Sequence, residues 1–175
     1  NVEMIFNKKR DLLIVVGGGS LPPSMYDRPH EDELQPNRDR MEEQVIHYCV
    51  AHGIPIIATC RGMQYINVMF GGKLWYHPKL PVTRTRGMDH QVWLVKEQRN
   101  IWVNNYHSDC IYEEGLAPCF EPLAIDRENH VVEAYGSDEM KILALQWHPE
   151  RRFETANAYE ETRKIVLDFI QKHVK

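Results

Sequence analysis

The chain has 175 residues, of which 43% are hydrophobic and 26% are charged, and its formal net charge is −4 at pH 7. This length and composition are typical of one domain with a hydrophobic core, and the acidic balance argues against a nucleic-acid-binding protein, which normally presents a basic face. No apolar run approaches ~18 residues and no segment has the pattern of a signal peptide, so we expect no membrane association.

The cysteines lack the spacing of zinc ligands and that of a small disulfide framework. They are Cys49, Cys60, Cys110 and Cys119. Because unpaired thiols are typical of reducing compartments, we expect a cytoplasmic protein without a metal site.

Strand and helix patterns alternate in the first half of the chain. Residues 1–9 do not form a convincing strand, which indicates a fragment or a chain without its true N-terminus. Residues 11–16 are a largely apolar run that ends in Gly-Gly-Gly, as expected for a parallel strand buried on both faces. The prolines in residues 20–37 predict a loop.

A helix is predicted over residues 38–52, with Gly53 at the position that usually follows a helix end. Its expected buried stripe contains Met41, Val45, Tyr48 and Cys49. A second apolar strand over residues 54–58 and a short helix over residues 61–70 follow it. This alternation predicts an α/β protein with a parallel sheet.

Short strand patterns separated by turns fill the second half of the chain. They cover residues 91–95, 101–104, 131–135 and 142–146. We expect some of them to form an antiparallel extension of the sheet. A final helix is predicted over residues 155–173, and its expected buried face contains Tyr159, Thr162, Ile165, Val166, Phe169 and Ile170.

Cys60 lies where the second strand meets the short helix, with Ala58 two residues before it and Gly62 two residues after it. Small residues at these positions are typical of a sharp strand-to-helix elbow that presents a nucleophile. The positive end of the helix is expected to lower the pKa of the Cys60 thiol and to favour the thiolate. The alternative is inert packing, because cysteine is among the most buried residue types.

Residues 145–150 read Leu-Gln-Trp-His-Pro-Glu. His148 and Glu150 are the base and the orienting carboxylate that a cysteine nucleophile requires, so the two segments together indicate an enzyme. Further histidines lack metal-ligand spacing, and we expect them on the surface or in loops: His77, His90, His107 and His130.

Four segments carry a resemblance to a known family. Residues 60–64 read Cys-Arg-Gly-Met-Gln, residues 146–150 read Gln-Trp-His-Pro-Glu, residues 16–19 read Val-Gly-Gly-Gly, and residues 105–108 read Asn-Tyr-His-Ser. Together they resemble class I glutamine amidotransferase-like proteins, and the Cys-Arg-Gly-x-Gln form is similar to the γ-glutamyl hydrolase (peptidase C26-like) branch. The resemblance extends from about residue 12 to residue 169.

The resemblance implies a fold and a set of site residues. The fold is flavodoxin-like: one α/β domain over residues 1–175, with a doubly wound, mostly parallel sheet, helices on both faces and a small antiparallel extension. The implied catalytic residues are Cys60, His148 and Glu150. The implied oxyanion donors are backbone N–H groups, those of Gly18, Gly19 and Arg61. The implied substrate-binding residues are Gln64, Tyr106, His107 and Ser108. From the residues alone, a polar residue on a helix surface is the favoured interpretation of Gln64, and packing is the favoured interpretation of Tyr106.

The implied activity is the hydrolysis of a γ-glutamyl amide through a γ-glutamyl thioester, with no cofactor and a small molecule as the partner. Basic residues at Lys79, Arg84 and Arg86 make a nucleotide-linked substrate of the γ-glutamyl-CDP-amidate type a candidate, although a solvated basic loop also explains them. The alternative function is a glutaminase subunit that delivers ammonia to a synthetase. Arg61 after the nucleophile favours the hydrolase, whereas the Tyr-His-Ser form recurs in amidotransferases. A non-catalytic relative is disfavoured because all three catalytic residues are present.

Overall fold

The computed structural model describes residues 11–26, 34–76 and 87–174. Within these ranges the helices are α1 (Pro36–His52), α2 (Arg61–Met69) and α3 (Ala158–His173). The strands are β1 (Leu13–Val15), β2 (Ile56–Thr59), β3 (Trp75–Tyr76), β4 (Asp89–Leu94), β5 (Arg99–Asn104), β6 (Asp109–Cys110), β7 (Glu121–Asp126), β8 (Val131–Ser137) and β9 (Ile142–Leu145). No helix in this part of the chain is long and apolar enough to cross a membrane.

Seven of the strands form one mixed sheet in the order β1-β2-β9-β8-β7-β4-β5. Strands β1, β2 and β9 pair in parallel, and each later neighbour pairs antiparallel. As a result β1, β2, β9, β7 and β5 run in one direction, and β8 and β4 run in the other. The predicted α/β, flavodoxin-like class is confirmed. The antiparallel part is larger than the small extension we expected, because β4–β5, β7–β8 and β8–β9 are joined by short turns, and short turns favour antiparallel pairing.

Two hydrophobic clusters cover the two faces of the sheet. Residues such as Ile56 and Met63 pack on the side of α1 and α2. Ile57 and Trp147 pack on the other side, against the inner face of α3. Every residue of β2 is buried, which agrees with the apolar sequence of its first three residues. The carboxyl end of this strand is therefore held rigidly between two layers of helices.

Three details of the predicted burial were wrong. The prediction that β1 is buried on both faces fails, because β1 is an edge strand of the described sheet and its Ile14 is 57% exposed. On α1, Met41 is exposed, since the inward face carries the buried carboxylate of Asp39 in its place. On α3, Tyr159 is exposed, whereas Thr162 is buried as expected. Strands β3, β6 and β7 were not predicted from the sequence.

Candidate active site

Cys60 occupies a strained turn between β2 and α2. Its backbone has φ 51° and ψ −112°, a positive-φ conformation that residues with a side chain rarely adopt. The first turn of α2 lies against β1, because a Cβ atom on Gly62 would lie only 2.9 Å from Cγ1 of Val15. Any larger residue at position 62 would push the helix away from the strand. The elbow expected from the small residues around Cys60 is therefore present.

Cys60 and His148 follow two neighbouring parallel strands. The backbone N–H of Cys60 donates to the carbonyl oxygen of Leu145, the last residue of β9, at 2.7 Å. His148 comes three residues after that strand, and its side chain is buried. The carboxyl ends of parallel strands in α/β sheets are where ligands usually bind. The chain topology thus brings together two residues that lie far apart in the sequence.

The imidazole of His148 is held in a single orientation. Its Nδ1 lies 2.6 Å from Oε1 of Glu150. Since a carboxylate only accepts hydrogen bonds, this contact assigns the proton to Nδ1 and leaves Nε2 as an acceptor. The ring of Tyr106 packs edge-on against the imidazole, with 5.6 Å between ring centroids. The geometry is that of a histidine prepared to accept a proton.

Asn104 fixes the backbone of His148, and the sequence analysis did not identify it as a site residue. The His148 N–H donates to Oδ1 of Asn104 at 2.9 Å, and Nδ2 of Asn104 donates to the His148 carbonyl oxygen at 2.9 Å. Asn104 is fully buried at the end of β5. A buried amide that satisfies both backbone groups of one residue locks the position of that residue. The available signal was a polar residue at the end of an apolar strand.

Gly17 borders the space between the two side chains. A Cβ atom added to Gly17 would lie 2.7 Å from Cε1 and 3.5 Å from Nε2 of His148. The same added atom would lie 3.5 Å from Cβ of Cys60. Only glycine leaves this space open, so its backbone can approach a reacting group there. Gly18, by contrast, lies against the side chains of Arg38 and Arg61. The donor roles implied for Gly18 and Gly19 stay predictions.

The pKa of the Cys60 thiol is raised, so the expectation that it is lowered was wrong. Burial raises the pKa of Cys60 from its ordinary value to about 11, and nearby Asp109 and Glu150 add to the increase. The backbone N–H of Arg61 donates to the sulfur and Arg151 supplies a positive charge, but these lower the pKa less than burial raises it. In the free protein the thiol is therefore protonated at neutral pH.

This raised pKa predicts how Cys60 reacts with iodoacetamide. Alkylation should be slow at about pH 6 and should accelerate about tenfold per pH unit towards pH 11, because only the thiolate reacts. Mass spectrometry of the Cys60 peptide measures the rate, and the exposed Cys119 serves as an internal control for reagent activity. Rapid, pH-independent labelling of Cys60 between about pH 5 and 7 would show a preformed thiolate–imidazolium pair and would contradict the prediction.

The side chain of Arg61 forms ion pairs with two carboxylates of α1. It is 1% exposed and forms ion pairs with Asp39 and Glu42, the latter at 2.7 Å. Burial raises the pKa of Asp39 above its ordinary value, while the charge of Arg61 opposes this increase. Arg61 thus contributes to the site through its backbone N–H, and its side chain ties α2 to α1.

Gln64 is buried inside the site, so the helix-surface alternative is excluded. Its Nε2 donates to the carbonyl oxygen of Asp109 at 3.1 Å and to Oε1 of Gln146 at 3.2 Å. Tyr106 lies on the rim, where the guanidinium of Arg151 sits 4.4 Å from its ring centroid. Through these contacts Gln64 connects α2 to the segment after β5. The ring of Tyr106 packs beside the imidazole of His148.

His107 and His90 flank a buried carboxylate that the sequence analysis missed. Nδ1 of His107 donates to the Asp109 carbonyl oxygen at 3.0 Å, and its Nε2 lies 3.7 Å from Oε1 of Glu133. Nε2 of His90 lies 3.4 Å from the same oxygen. The expectation of a surface or loop position was wrong for His90, which is buried in strand β4. His107 does lie in the loop after β5, although its side chain is buried, and His130 is exposed as expected. Ser108 is exposed.

Two expectations fall outside what the structure describes. His77 and the basic residues Lys79, Arg84 and Arg86 lie outside the described residues. Within residues 11–26, 34–76 and 87–174, no three His, Cys, Asp or Glu side chains are grouped so that they could hold a metal ion.

Comparison with known proteins places the chain in one class, the class I glutamine amidotransferase-like proteins. The fold is similar to that of a solved glutamine amidotransferase from Thermotoga maritima, with a TM-score of 0.59 and 18% identity over 91% of this chain and 64% of that one. The Peptidase C26 family model matches residues 5–150. The chain belongs to this family.

Two curated relatives illustrate the range of the family. The chain is 29% identical over 164 residues to the glutamine amidotransferase-like protein YvdE of Lactococcus lactis subsp. lactis (strain IL1403), covering 83% of this chain and 68% of that protein. It is 26% identical over 175 residues to the γ-glutamyl-γ-aminobutyrate hydrolase PuuD of Escherichia coli (strain K12), covering 85% of this chain and 67% of that protein. Across eight curated relatives, the chain spans 53% to 68% of the relative's own length. These relatives support a hydrolase or amidotransferase-like activity.

Proposed function

We propose that this chain is a cysteine-dependent hydrolase of γ-glutamyl amides that works through a γ-glutamyl thioester. One observation carries the proposal: His148, oriented by Glu150 and fixed by Asn104, borders the same small space as Cys60. A thiol, a base with a free acceptor nitrogen and an orienting carboxylate are the groups that nucleophilic attack on an amide requires.

In the first half of the reaction, the sulfur of Cys60 attacks the γ-carbonyl carbon while the thiol proton passes to Nε2 of His148. Because the thiol is protonated in the free protein, transfer accompanies attack and does not precede it. The Nδ1–H bond to Glu150 stabilises the resulting imidazolium. The oxyanion is held by the backbone N–H of Arg61 and by backbone N–H groups of residues 17–19, the glycine loop. The C–N bond then breaks, and the amine leaves with the proton from His148.

In the second half, water hydrolyses the thioester. His148 removes a proton from the water, whose oxygen attacks the same carbonyl carbon. The C–S bond breaks, the sulfur recovers the proton from His148, and glutamate leaves. The base acts in both halves, so no metal or organic cofactor enters the proposed reaction.

The proposal extends to the substrate and its setting. Gln64, Tyr106, His107 and Ser108 are proposed to contact the glutamyl group. A nucleotide-linked γ-glutamyl amidate is one candidate substrate, and γ-glutamyl-γ-aminobutyrate, named in the relative PuuD, is another. We propose a single cytoplasmic domain that requires neither nucleic acid nor a membrane. The alternative is a glutaminase subunit, because other relatives are named glutamine amidotransferase-like.

The test is amine release from a panel of γ-glutamyl compounds, glutamine included. We expect turnover of at least one γ-glutamyl amide, poor turnover of glutamine, and no turnover by Cys60→Ala. Cys119→Ala is the matched control, since Cys119 is an exposed free thiol outside the site, and it should retain full activity. Turnover of glutamine alone, or only after addition of a partner synthetase, would establish the glutaminase alternative. A reduced wild-type protein that hydrolyses none of the compounds would refute the hydrolase.

A further inference from the structure

Arg38 holds two consecutive carbonyl groups of the glycine loop. Its Nη2 donates to the carbonyl oxygen of Val16 at 2.6 Å, and its Nη1 donates to that of Gly17 at 3.1 Å. Arg38 lies in the first turn of α1, 21 residues after Gly17 in the sequence. One guanidinium therefore fixes the orientation of two neighbouring peptide groups.

The orientation of these carbonyls decides where the next N–H groups point. In a trans peptide the C=O and the N–H of the same group point in opposite directions. Since the carbonyls of Val16 and Gly17 point to Arg38, the N–H groups of Gly17 and Gly18 point away from it. Without Arg38, the Val16–Gly17 and Gly17–Gly18 peptide groups could adopt other orientations, because glycine tolerates most backbone conformations. Gly17 also borders the space between Cys60 and His148.

Besides the two loop carbonyls, the guanidinium of Arg38 contacts two side chains, those of Glu42 and Gln35. Its Nε donates to Oε1 of Glu42 at 2.7 Å, and its Nη1 also donates to Oε1 of Gln35 at 3.0 Å. The second oxygen of Glu42 accepts a hydrogen bond from Nη1 of Arg61 at 2.7 Å. Arg61 directly follows the nucleophile and donates its backbone N–H to the Cys60 sulfur. A continuous set of ion pairs thus connects the glycine loop to the nucleophile elbow.

We propose that Arg38 is a positioning residue that orients the N–H groups of the glycine loop as the second half of the oxyanion hole. The hydrogen bonds of the Arg38 guanidinium go to the loop, to Gln35 and to Glu42, so Arg38 acts through the loop. The Glu42–Arg61 contact keeps the loop donors in register with the N–H of Arg61. The kinetic consequence rests on the proposed hydrolase, whereas the orientation of the loop does not.

The kinetic test compares Arg38→Ala with wild type on the γ-glutamyl amide found to be a substrate. Loss of oriented donors should lower kcat by about 10²–10³-fold and change KM much less, because the donors act on the transition state. Arg38→Lys should not recover the activity, since one ammonium cannot hold both carbonyls. Methylguanidinium should restore part of the Arg38→Ala activity with saturation, because Arg38 is partly exposed and its site is open to a small cation.

Arg99→Ala is the control, since Arg99 forms an exposed ion pair with Glu161. It should retain activity and show no response to methylguanidinium. If Arg38 only stabilised the fold, methylguanidinium would leave Arg38→Ala unimproved, and the proposal would fail. An unchanged kcat in a folded Arg38→Ala protein would also overturn it.

A second measurement detects the orientation of the glycine-loop peptides by NMR and does not depend on enzymatic turnover. In protein labelled with ¹⁵N-glycine, the amide resonances of Gly17 and Gly18 should shift in Arg38→Ala and return towards wild-type positions with methylguanidinium. The Gly53 resonance, from the end of α1, is the internal reference. Unchanged Gly17 and Gly18 resonances would overturn the proposal. If wild type hydrolyses no γ-glutamyl amide, the hydrolase fails, and this measurement alone decides the role of Arg38.

Discussion

Replacing His148 with alanine is expected to lower kcat/KM for γ-glutamyl amide hydrolysis by about three to six orders of magnitude. Members of a nucleophile–base unit depend on one another, so removal of one member costs nearly as much as removal of all. The raised pKa of Cys60 makes the loss severe, since without a base the buried thiol stays protonated at neutral pH. The double variant Cys60→Ala/His148→Ala should be no worse than either single variant.

Glu150→Gln should cost less, about 10²–10⁴-fold. The Glu150 side chain is 58% exposed, so water screens its charge and weakens its attraction for the imidazolium that forms during the reaction. The amide oxygen of glutamine can also accept a hydrogen bond from Nδ1–H of His148 and keep the ring in place. The order of effects, His148→Ala larger than Glu150→Gln, separates the base from the group that orients it.

Steady-state kinetics on the substrate identified by the panel measure both effects, with circular dichroism to verify folding. His130→Ala is the control, since that histidine is exposed and pairs with Glu113 on the surface. It should leave kcat/KM unchanged. Retention of activity within tenfold by His148→Ala would show that another group acts as the base.

Replacing Arg61 with alanine is expected to reduce the free energy of unfolding by about 3–5 kcal/mol. The change removes the Arg61 ion pair of the buried carboxylate of Asp39, and it leaves Glu42 paired with Arg38 alone. Removing one partner of a buried ion pair is costly because the remaining charge keeps its desolvation penalty. The backbone N–H at position 61 is retained, so the variant tests the side chain alone.

The loss should depend on pH. Burial already raises the pKa of Asp39, and removal of Arg61 takes away the charge that opposes this rise. A carboxyl group whose pKa is raised in the folded state stabilises the fold when it is protonated, so its contribution is lost as pH rises through the folded pKa. The defect of Arg61→Ala should therefore be smaller at about pH 5 than at about pH 7.5.

Urea denaturation at the two pH values measures the loss, and Arg99→Ala supplies the surface comparison. The Arg99–Glu161 pair is exposed, so its removal should cost no more than about 1 kcal/mol. A loss below about 1 kcal/mol for Arg61→Ala at pH 7.5 would show that Arg38 and water are enough to compensate the charges of Asp39 and Glu42.

The residues around Cys60 were sufficient to predict the elbow, because that geometry depends on local steric limits. Small side chains at Ala58 and Gly62 are needed wherever a strand turns sharply into a helix, and Gly62 indeed has no room for a Cβ atom beside Val15. The strand and helix patterns likewise predicted the α/β class. Local patterns also placed His148 and Glu150 two residues apart, a spacing at which they form their hydrogen bond.

Other features depend on residues that are distant in the sequence. The direction of the Cys60 pKa shift was wrong because burial by the surrounding fold outweighs the helix end. The exposure of Met41 follows from Asp39 turning inward towards Arg61, 22 residues away. Asn104 lies 44 residues from the histidine it fixes. No local pattern shows these pairings.

The sequence by itself thus determined the fold class, the elbow and the identity of the nucleophile and base candidates, since these follow from side-chain size, periodicity and short spacing. The tertiary structure alone decided the protonation state of Cys60, the partners of Arg61 and the hydrogen bonds from Arg38 to the glycine loop. Desolvation, ion pairing and hydrogen bonding act over a few ångströms of space, and only the folded chain determines which residues lie within that distance.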